Sequence, residues 1–221
     1  INLLNSLEAL NDNYFSQHFG NTFFTIENAR KIGAIREKID EIADTIRGLE
    51  GTAGRLYFET LNYVLPEQYH FNGRSMRPAK DSYNAFLNYG FGVLYSRIEK
   101  SLMLAGLDPY VGFLHRDDYN QKSMVFDFIE PYRIFVETTV FRLFSAKKVN
   151  KAHTDEITNG ITLNKEGKEL LITALNGYME SETIRYKGRN QTRANAMQQD
   201  AHTFANGLIG SKTDSSTDSD N

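Results

Sequence analysis

The feature that most constrains this chain is a series of apolar residues spaced alternately three and four positions apart. Six of them follow one another at this spacing: Ile32, Ile35, Ile39, Ile42, Ile46 and Leu49. The spacing predicts an amphipathic helix whose apolar stripe is buried. The pattern resumes at Ala53 and Leu56 and stops at Pro66, with Gly48, Gly51 and Gly54 between the two halves. We expect two helices in nearly continuous register; the alternative is that the glycines keep one face bare for another backbone.

A second apolar segment, residues 82–104, predicts the central helix of the fold. Its apolar residues fall on nearly every side, which is typical of a helix surrounded by others. Asp81 or Ser82 is the expected N-cap, and Gly106 followed by Pro109 is the expected stop. Further helices are expected over 123–144, with a kink or a locally open turn at Pro131, and around 170–179 and 201–209. The expected fold class is therefore all-α.

Length and composition set the outer limits of the domain organisation. The chain has 221 residues, no cysteine and a net charge of −3. We expect an N-terminal remnant or linker over 1–26, a helical catalytic domain over 27–210 and a disordered acidic Ser/Thr tail over 211–221. The first residue is Ile1, which indicates a piece of a longer protein. The missing cysteines fit a reducing compartment, and no apolar run is long enough to span a membrane, so a cytoplasmic location is expected.

Four residues are candidates for metal chemistry. His115 ends an apolar segment, and Asp127 and Glu130 lie three positions apart among apolar neighbours on the next helix. Glu50 lies at the edge of the apolar stripe among the three glycines. Each acid taken singly is explained better by an ion pair with a nearby arginine. Taken together, a histidine and several half-buried acids form a plausible site for Mg²⁺ or Mn²⁺.

Basic residues cluster in spite of the acidic net charge. Arg74 and Arg77 precede the central helix, and Arg185, Arg189 and Arg193 lie in a later segment beside Asn190 and Gln191. Arginine next to hydrogen-bonding amides suits contacts with a phosphate backbone. A solvated surface explains the same residues equally well.

Four motifs in order resemble one known family, the CRISPR-associated endonuclease that inserts new spacers, which is the universal adaptation integrase. Glu50-Gly51-Thr52-Ala53 resembles its Glu-Gly-x-Ala segment, and Gly112-Phe113-Leu114-His115 its Gly-Phe-Leu-His motif. The stretch from Ser123 to Arg133, SMVFDFIEPYR, resembles its acidic helix. Arg77-Pro78 followed by Asn84 to Gly90, with Leu107-Asp108-Pro109 after them, is similar to the stretch between the first two motifs. The resemblance covers residues 30 to 210.

The resemblance implies the C-terminal helical catalytic domain of that family, with the N-terminal β-sandwich absent or reduced. It implies a divalent ion, Mg²⁺ or Mn²⁺, held by Glu50, His115 and Glu130, with Asp127 next to the site. The implied activity is DNA cleavage and integration by attack of a 3′-hydroxyl on a phosphodiester. The implied partners are double-stranded and branched DNA, the small CRISPR-associated adaptation subunit, and a second copy in the full-length protein. No membrane partner is implied.

Two other interpretations remain open from the residues. In the first, the chain is a non-catalytic helical module that binds DNA or a partner. Such a module could be a fragment of a reverse-transcriptase fusion. In the second, the chain is a metal-dependent hydrolase of a different substrate, built on a similar bundle. Metal-dependent cleavage of branched DNA, and the response of binding to salt, distinguish these from the integrase interpretation.

Overall fold

A computed structural model describes residues 45, 48–49, 51–112 and 121–210. The first helix in the described part of the chain, α1, spans residues 51–64. Gly48 and Leu49, just before it, are also helical. The central helix α2 follows at Ser82–Leu104. Short α3 at Ser123–Ile129 leads through a 3₁₀ turn at Glu130–Tyr132 into α4 at Arg133–Ser145.

The second half of the chain alternates hairpins and helices. The strands β1, Thr154–Ile157, and β2, Gly160–Leu163, form one antiparallel pair. Helix α5, Lys165–Asn176, continues into a π-helical turn at Gly177–Ser181. The strands β3, Thr183–Tyr186, and β4, Arg189–Thr192, form a second antiparallel pair, and α6 follows at Arg193–Gly210.

Helix α2 lies in the centre of the molecule, as its all-round apolar pattern predicts. It packs against α3, α4, α5, α6 and the β1–β2 hairpin. Phe86, Leu94 and Ile98 have no exposed surface. Gly90 allows α4 to come close, because a Cβ at that position would lie 2.5 Å from Cγ1 of Val136.

The ends of α2 are those expected from the sequence. Asp81 is the N-cap, and its carboxylate accepts a hydrogen bond from the backbone N–H of Asn84 at 2.8 Å. Ala105 is the C-cap, and Gly106 follows with φ +80°, a left-handed conformation that glycine adopts without strain. Local chemistry therefore fixes both boundaries.

Pro131 divides the segment from Ser123 to Ser145 into two helices, where a kink or a locally open turn was expected. The proline has no N–H to donate to the preceding turn, so α3 stops at Ile129 and a 3₁₀ turn intervenes. The all-α fold class is confirmed in the helical core, but the two small hairpins were not predicted. The last helix begins at Arg193, eight residues before the first apolar position from which we inferred it.

The stripe on the first helix departs from the prediction. It was expected to be buried, but Leu49 is 66% exposed and Leu56 is 51% exposed. A Cβ at Gly48, Gly51 or Gly54 would meet nothing within 4 Å, so these glycines do not provide for a close backbone contact. The opposite face of α1 packs on the domain instead, through Phe58 and the buried Leu65 near its end.

Helix α6 closes the domain on the far side of α2. The side-chain amide of Gln198 donates a hydrogen bond to the carbonyl oxygen of Ser101 at 3.1 Å. Ala201 has no exposed surface, and Met197 is 3% exposed. The carboxylate of Asp200 accepts hydrogen bonds from the hydroxyls of both Tyr132 and Tyr186. These contacts fasten α6 and the β3–β4 hairpin to the turn that follows Glu130.

Candidate active site

Two of the four predicted metal-site residues lie within the part of the chain that the structure describes. These are Asp127, on the last turn of α3, and Glu130, at the start of the 3₁₀ turn. Glu50 and His115 lie outside the described residues. Gly51, which follows Glu50, and Gly112, which lies three residues before His115, are described.

The segment that begins the Gly-Phe-Leu-His motif packs against the acidic helix. A Cβ added to Gly112 would lie 2.6 Å from Cβ of Ser123 and 2.8 Å from Oδ2 of Asp127. Any side chain at this position would collide with α3, so the glycine is what allows the close approach. Asp127 is itself only 8% exposed. The second and third motifs, separated in sequence, therefore meet at this carboxylate.

Glu130 has a different environment from Asp127. Its carboxylate lies 3.3 Å from the guanidinium of Arg133, and the two side chains are 47% and 44% exposed. The guanidinium of Arg133 also lies over the ring of Phe91, 5.0 Å from its centroid. An ion pair this exposed is weakly held, so the Glu130 carboxylate remains available to another cation.

Helix α1 is joined to α4 by one polar contact. The hydroxyl of Tyr57 donates a hydrogen bond of 2.8 Å to Oε2 of Glu137. Burial raises the pKa of Tyr57 above its usual value, and the bond to the Glu137 carboxylate raises it further. In sequence, Glu50 precedes Tyr57 by seven residues, and Glu130 precedes Glu137 by seven. The contact thus links the helix that follows the first motif to the helix that follows the third.

Arg74, predicted to contact phosphate, is anchored within the protein. Its guanidinium donates hydrogen bonds to Oδ1 of Asn84 and, at 2.9 Å, to Oδ1 of Asn88. It also lies over the rings of Phe58 and Phe91, at 5.4 and 5.8 Å from their centroids. Burial lowers the pKa of Arg74, and the charge of nearby Arg133 lowers it further. Arg74 therefore connects α1, α2 and the loop between them.

A cavity runs along one face of α1. It has a volume of about 570 Å³, and one wall is formed by Gly51, Gly54 and Phe58. The opposite wall is the loop from Phe71 to Arg74. The bare glycine faces leave this space open, and the cavity begins one residue after Glu50 in the sequence.

The other predicted phosphate contacts fall into two groups. Arg193 is 14% exposed in its side chain, lies 3.7 Å from the ring centroid of Tyr178 and pairs with Glu182 at 3.3 Å. Arg185 and Arg189 are exposed on the β3–β4 hairpin, and Arg77 is exposed before α2. Phosphate contact remains a prediction for all five arginines, but Arg74 and Arg193 have internal roles that the sequence did not indicate.

Sequence reasoning missed several polar residues that position these segments. Asn84 is fully buried, and its amide donates to the carbonyl oxygen of Gly73 at 2.9 Å. The amide of Asn88 donates to the carbonyl oxygens of Ser75 and Met76. Buried amides in the family-like stretch before Gly90 were a signal that could have identified this anchor.

The described residues contain neither a metal-binding group of side chains nor a membrane-spanning helix. Over 45, 48–49, 51–112 and 121–210, no three His, Asp or Glu side chains are grouped in a way that would hold a metal ion. Within those same ranges, no helix is both long enough and apolar enough to cross a membrane.

Comparison with known proteins identifies the family. The sequence model of the family described as CRISPR associated protein Cas1 matches residues 2–177. The chain belongs to the Cas1 family. The resemblance drawn from the four motifs is thereby confirmed, as is the helical fold expected for the C-terminal domain of Cas1.

Curated Cas1 relatives come from archaea and bacteria. A CRISPR-associated endonuclease Cas1 of Archaeoglobus fulgidus is 37% identical over 165 residues, which are 72% of this chain and 48% of the relative. A Cas1 endonuclease of Thermodesulfovibrio yellowstonii is 32% identical over 150 residues, covering 67% of this chain and 47% of the relative. The chain therefore spans about half the length of the curated relatives it matches.

Solved structures show the same fold. A casposase bound to integration product aligns with a TM-score of 0.71 at 25% identity, over 76% of this chain and 48% of that one. A Cas1 protein from Thermotoga maritima aligns with a TM-score of 0.67 at 26% identity, over 74% of this chain and 51% of that one. The chain of a Cas6-RT-Cas1–Cas2 complex, at 22% identity and a TM-score of 0.67, covers 95% of this chain and shows the fold alone.

Proposed function

We propose that this chain is the catalytic part of a Cas1 integrase, which joins new spacer DNA to a CRISPR array and cleaves DNA in a metal-dependent reaction. The observation that carries the proposal is the meeting of the motif-bearing segments. Gly112 packs against Asp127, and Tyr57 of α1 contacts Glu137 of α4. Family membership supports this proposal, since Cas1 relatives are named endonucleases and the casposase structure holds an integration product.

Glu50, His115 and Glu130 are the proposed ligands of Mg²⁺ or Mn²⁺, with Asp127 beside them. Covalent connectivity supports this set, because the three residues from Gly112 to His115 span at most about 11 Å when fully extended. The Tyr57–Glu137 contact supports it too, because it joins the helix that follows the first motif to the helix that follows the third. Carboxylate oxygens with one imidazole form a donor set that suits either ion.

The proposed reaction needs no protein nucleophile. The 3′-hydroxyl of the incoming DNA attacks a phosphorus of the target strand, a new P–O bond forms, and the target's own P–O bond breaks to leave a 3′-hydroxyl. A bound divalent ion would polarise the phosphodiester and stabilise the leaving oxygen. Water in place of the DNA hydroxyl gives cleavage. The exposed ion pair with Arg133 would leave the Glu130 carboxylate available to that ion.

The proposed partners follow from the same family membership. Branched and double-stranded DNA would meet the exposed arginines Arg77, Arg185 and Arg189, because exposed guanidiniums suit phosphate contacts. Arg74 and Arg193 would support that surface indirectly, through their hydrogen bonds within the protein. A Cas2-type adaptation subunit is the proposed protein partner, since solved Cas1 assemblies named with Cas2 share this fold.

The decisive experiment uses the variant Glu50→Gln. It should abolish strand transfer with Mg²⁺ or Mn²⁺ and weaken Mn²⁺ binding measured by calorimetry, because one anionic ligand is lost. Thermal melting in chelator should show a domain at least as stable as the parent, since clustered acids repel one another without metal.

The matched control is Glu156→Gln, which neutralises an exposed acid on β1. It should join DNA and bind Mn²⁺ like the parent. A Glu50→Gln protein that melts several degrees lower, or that still joins DNA at the parent rate, would show that Glu50 is a structural ion-pair partner. A parent protein that binds DNA but joins no DNA strands would favour the non-catalytic module.

A further inference from the structure

The carboxylate of Glu182, just after the π-helical turn, is shared by two arginines from different helices. Arg142 on α4 pairs with it at 3.0 Å, and Arg193 on α6 pairs with it at 3.3 Å. Both guanidiniums also lie over the ring of Tyr178, 4.8 and 3.7 Å from its centroid. Guanidiniums that converge on one carboxylate form an arrangement that suits phosphate equally well, because phosphate offers the same charge and acceptor oxygens.

The two arginines are held to different extents. The side chain of Arg193 is 14% exposed and donates a further hydrogen bond of 3.0 Å to the carbonyl oxygen of Tyr178. The side chain of Arg142 is 56% exposed, and that of Glu182 is 47% exposed. An ion pair this exposed contributes little to stability, so another anion can replace Glu182 on Arg142 at small cost.

An open cavity of about 180 Å³ lies beside Arg142, between α4 and α5. Arg142 and Lys148 line it from α4 and the turn after α4, and Ala174 lines it from α5. Among the described residues around this cavity, Glu182 is the one acid. A space of this size admits a phosphate group together with water molecules.

The turn after α4 adds positive charge beside the cavity. Lys147 has φ +54°, a left-handed conformation that is strained for a residue with a side chain and is usually occupied by glycine. The backbone N–H of Lys148 then donates to the carbonyl oxygen of Leu143 at 2.9 Å. Glycine at position 147 would form this turn without strain, so the backbone does not require a lysine there.

We propose that Arg142 and Lys148 form a binding site for a phosphate of the DNA backbone, and that Glu182 competes for this site in the free protein. The DNA phosphate replaces the Glu182 carboxylate on Arg142, and Lys148 supplies a second positive charge. Glu182 keeps its pair with Arg193, so no buried charge is left alone. This inference rests on the proposed function only in taking DNA as the substrate.

The site takes a different phosphate from the one that reacts. Arg142 lies nine residues beyond Arg133, the first residue of α4, which is ~14 Å along the helix axis. Glu130 lies before that helix, in the 3₁₀ turn. DNA that reaches both positions is therefore held at a second point along its backbone.

The first measurement is duplex DNA binding by fluorescence anisotropy in chelator, over a range of salt concentrations. Arg142→Gln should weaken binding about tenfold, because a charged hydrogen bond to phosphate is lost. Combining it with Lys148→Gln should flatten the slope of log affinity against log salt by about 0.9, the value for one phosphate contact. A double variant with the parent affinity and slope would overturn the proposal.

The second measurement removes the competing acid. Glu182→Gln should tighten DNA binding about fivefold at low salt, since it frees Arg142 from an exposed ion pair. In an Arg142→Gln background the same change should bring no gain. Thermal melting is measured alongside, and a Glu182→Gln protein that melts several degrees lower with unchanged DNA affinity would overturn the proposal, because Glu182 would then be a structural ion-pair partner.

The matched control is Glu169→Gln, which neutralises an exposed acid on α5. It should bind DNA like the parent. Equal gains from Glu169→Gln and Glu182→Gln would contradict the competition, since the lower negative charge of the protein would then explain both.

The contact is located with DNA in which one phosphate at a time is replaced by a neutral methylphosphonate. One such replacement should weaken binding to the parent and leave binding to Arg142→Gln unchanged. Parent and variant that respond alike at every position would overturn the site.

DNA joining is measured separately, with Mg²⁺ or Mn²⁺. A parent that shows these binding effects without joining DNA contradicts the proposed function and supports the phosphate site. A parent that joins DNA, with an Arg142→Gln variant that binds DNA equally well, contradicts only the phosphate site.

Discussion

Helices α1 and α2 share an apolar composition but differ in what surrounds them. Helix α2 is enclosed by four helices and a hairpin, and its residues Phe86 and Leu94 have no exposed surface. Helix α1 contacts the domain on one side only, and Leu56 and Tyr63 on its other side are exposed. The comparison teaches that an apolar stripe indicates that a helix has a partner, without saying whether that partner lies within the same domain.

The largest expected effect comes from truncating the core. Phe86→Ala on α2 should lower the free energy of unfolding by about 3–5 kcal/mol, because it leaves a cavity beside Phe144. Tyr63→Ala on α1 should change it by no more than about 0.5 kcal/mol. Both changes are measured by urea unfolding. Similar losses for the two variants would mean that α1 is as integral to the domain as α2.

Replacing glycines of the two helices by alanine should have a smaller effect on the free energy of unfolding. Gly90→Ala should cost about 1–3 kcal/mol, since the new methyl would lie 2.5 Å from Val136. Gly54→Ala should be neutral or stabilise by up to about 1 kcal/mol, because its Cβ meets nothing within 4 Å and alanine favours the helix. Gly92→Ala, an open position on α2 itself, is the control. If Gly92→Ala destabilises as much as Gly90→Ala, the close helix crossing is not the cause.

The smallest effect on stability is expected for the arginines. Arg193 is largely enclosed by the protein, and Arg185 is exposed. Arg193→Gln should cost about 1–2 kcal/mol, because it removes the hydrogen bond to the carbonyl oxygen of Tyr178 and the contact with its ring. Arg185→Gln should leave thermal melting unchanged. It should flatten the slope of log affinity against log salt by about 0.9 on duplex DNA if it contacts a phosphate. An unchanged slope would make Arg185 part of a solvated surface.

The parts of the fold that could be predicted from sequence are those set by local chemistry. Asp81 caps α2 through a bond three residues away, and Pro131 breaks its helix because it has no N–H. The hairpins were missed because four-residue strands carry too little alternation to be distinguished from loops. The prediction that Leu49 is buried was wrong, because apolar periodicity identifies one face of a helix but not what covers that face.

The candidate site was predicted from motifs and not from physical contacts. The hydrogen bond from Tyr57 to Glu137 joins residues 80 positions apart, and no spacing rule connects them. The role of Arg74 also depends on Asn84 and Asn88, which meet it only once the loop folds back on α2. Motif order predicts which residues belong together, and the observed contacts bring Gly112 to Asp127 and Tyr57 to Glu137.

The attachment of α6 has a consequence for how this domain is delimited. The Cas1 family match ends at residue 177, before the β3–β4 hairpin and α6 begin. Yet α6 buries Met197 and Ala201 against the rest of the protein, and Asp200 bonds Tyr132 directly after the acidic motif. The unit that folds is therefore longer than the unit that the family shares in sequence.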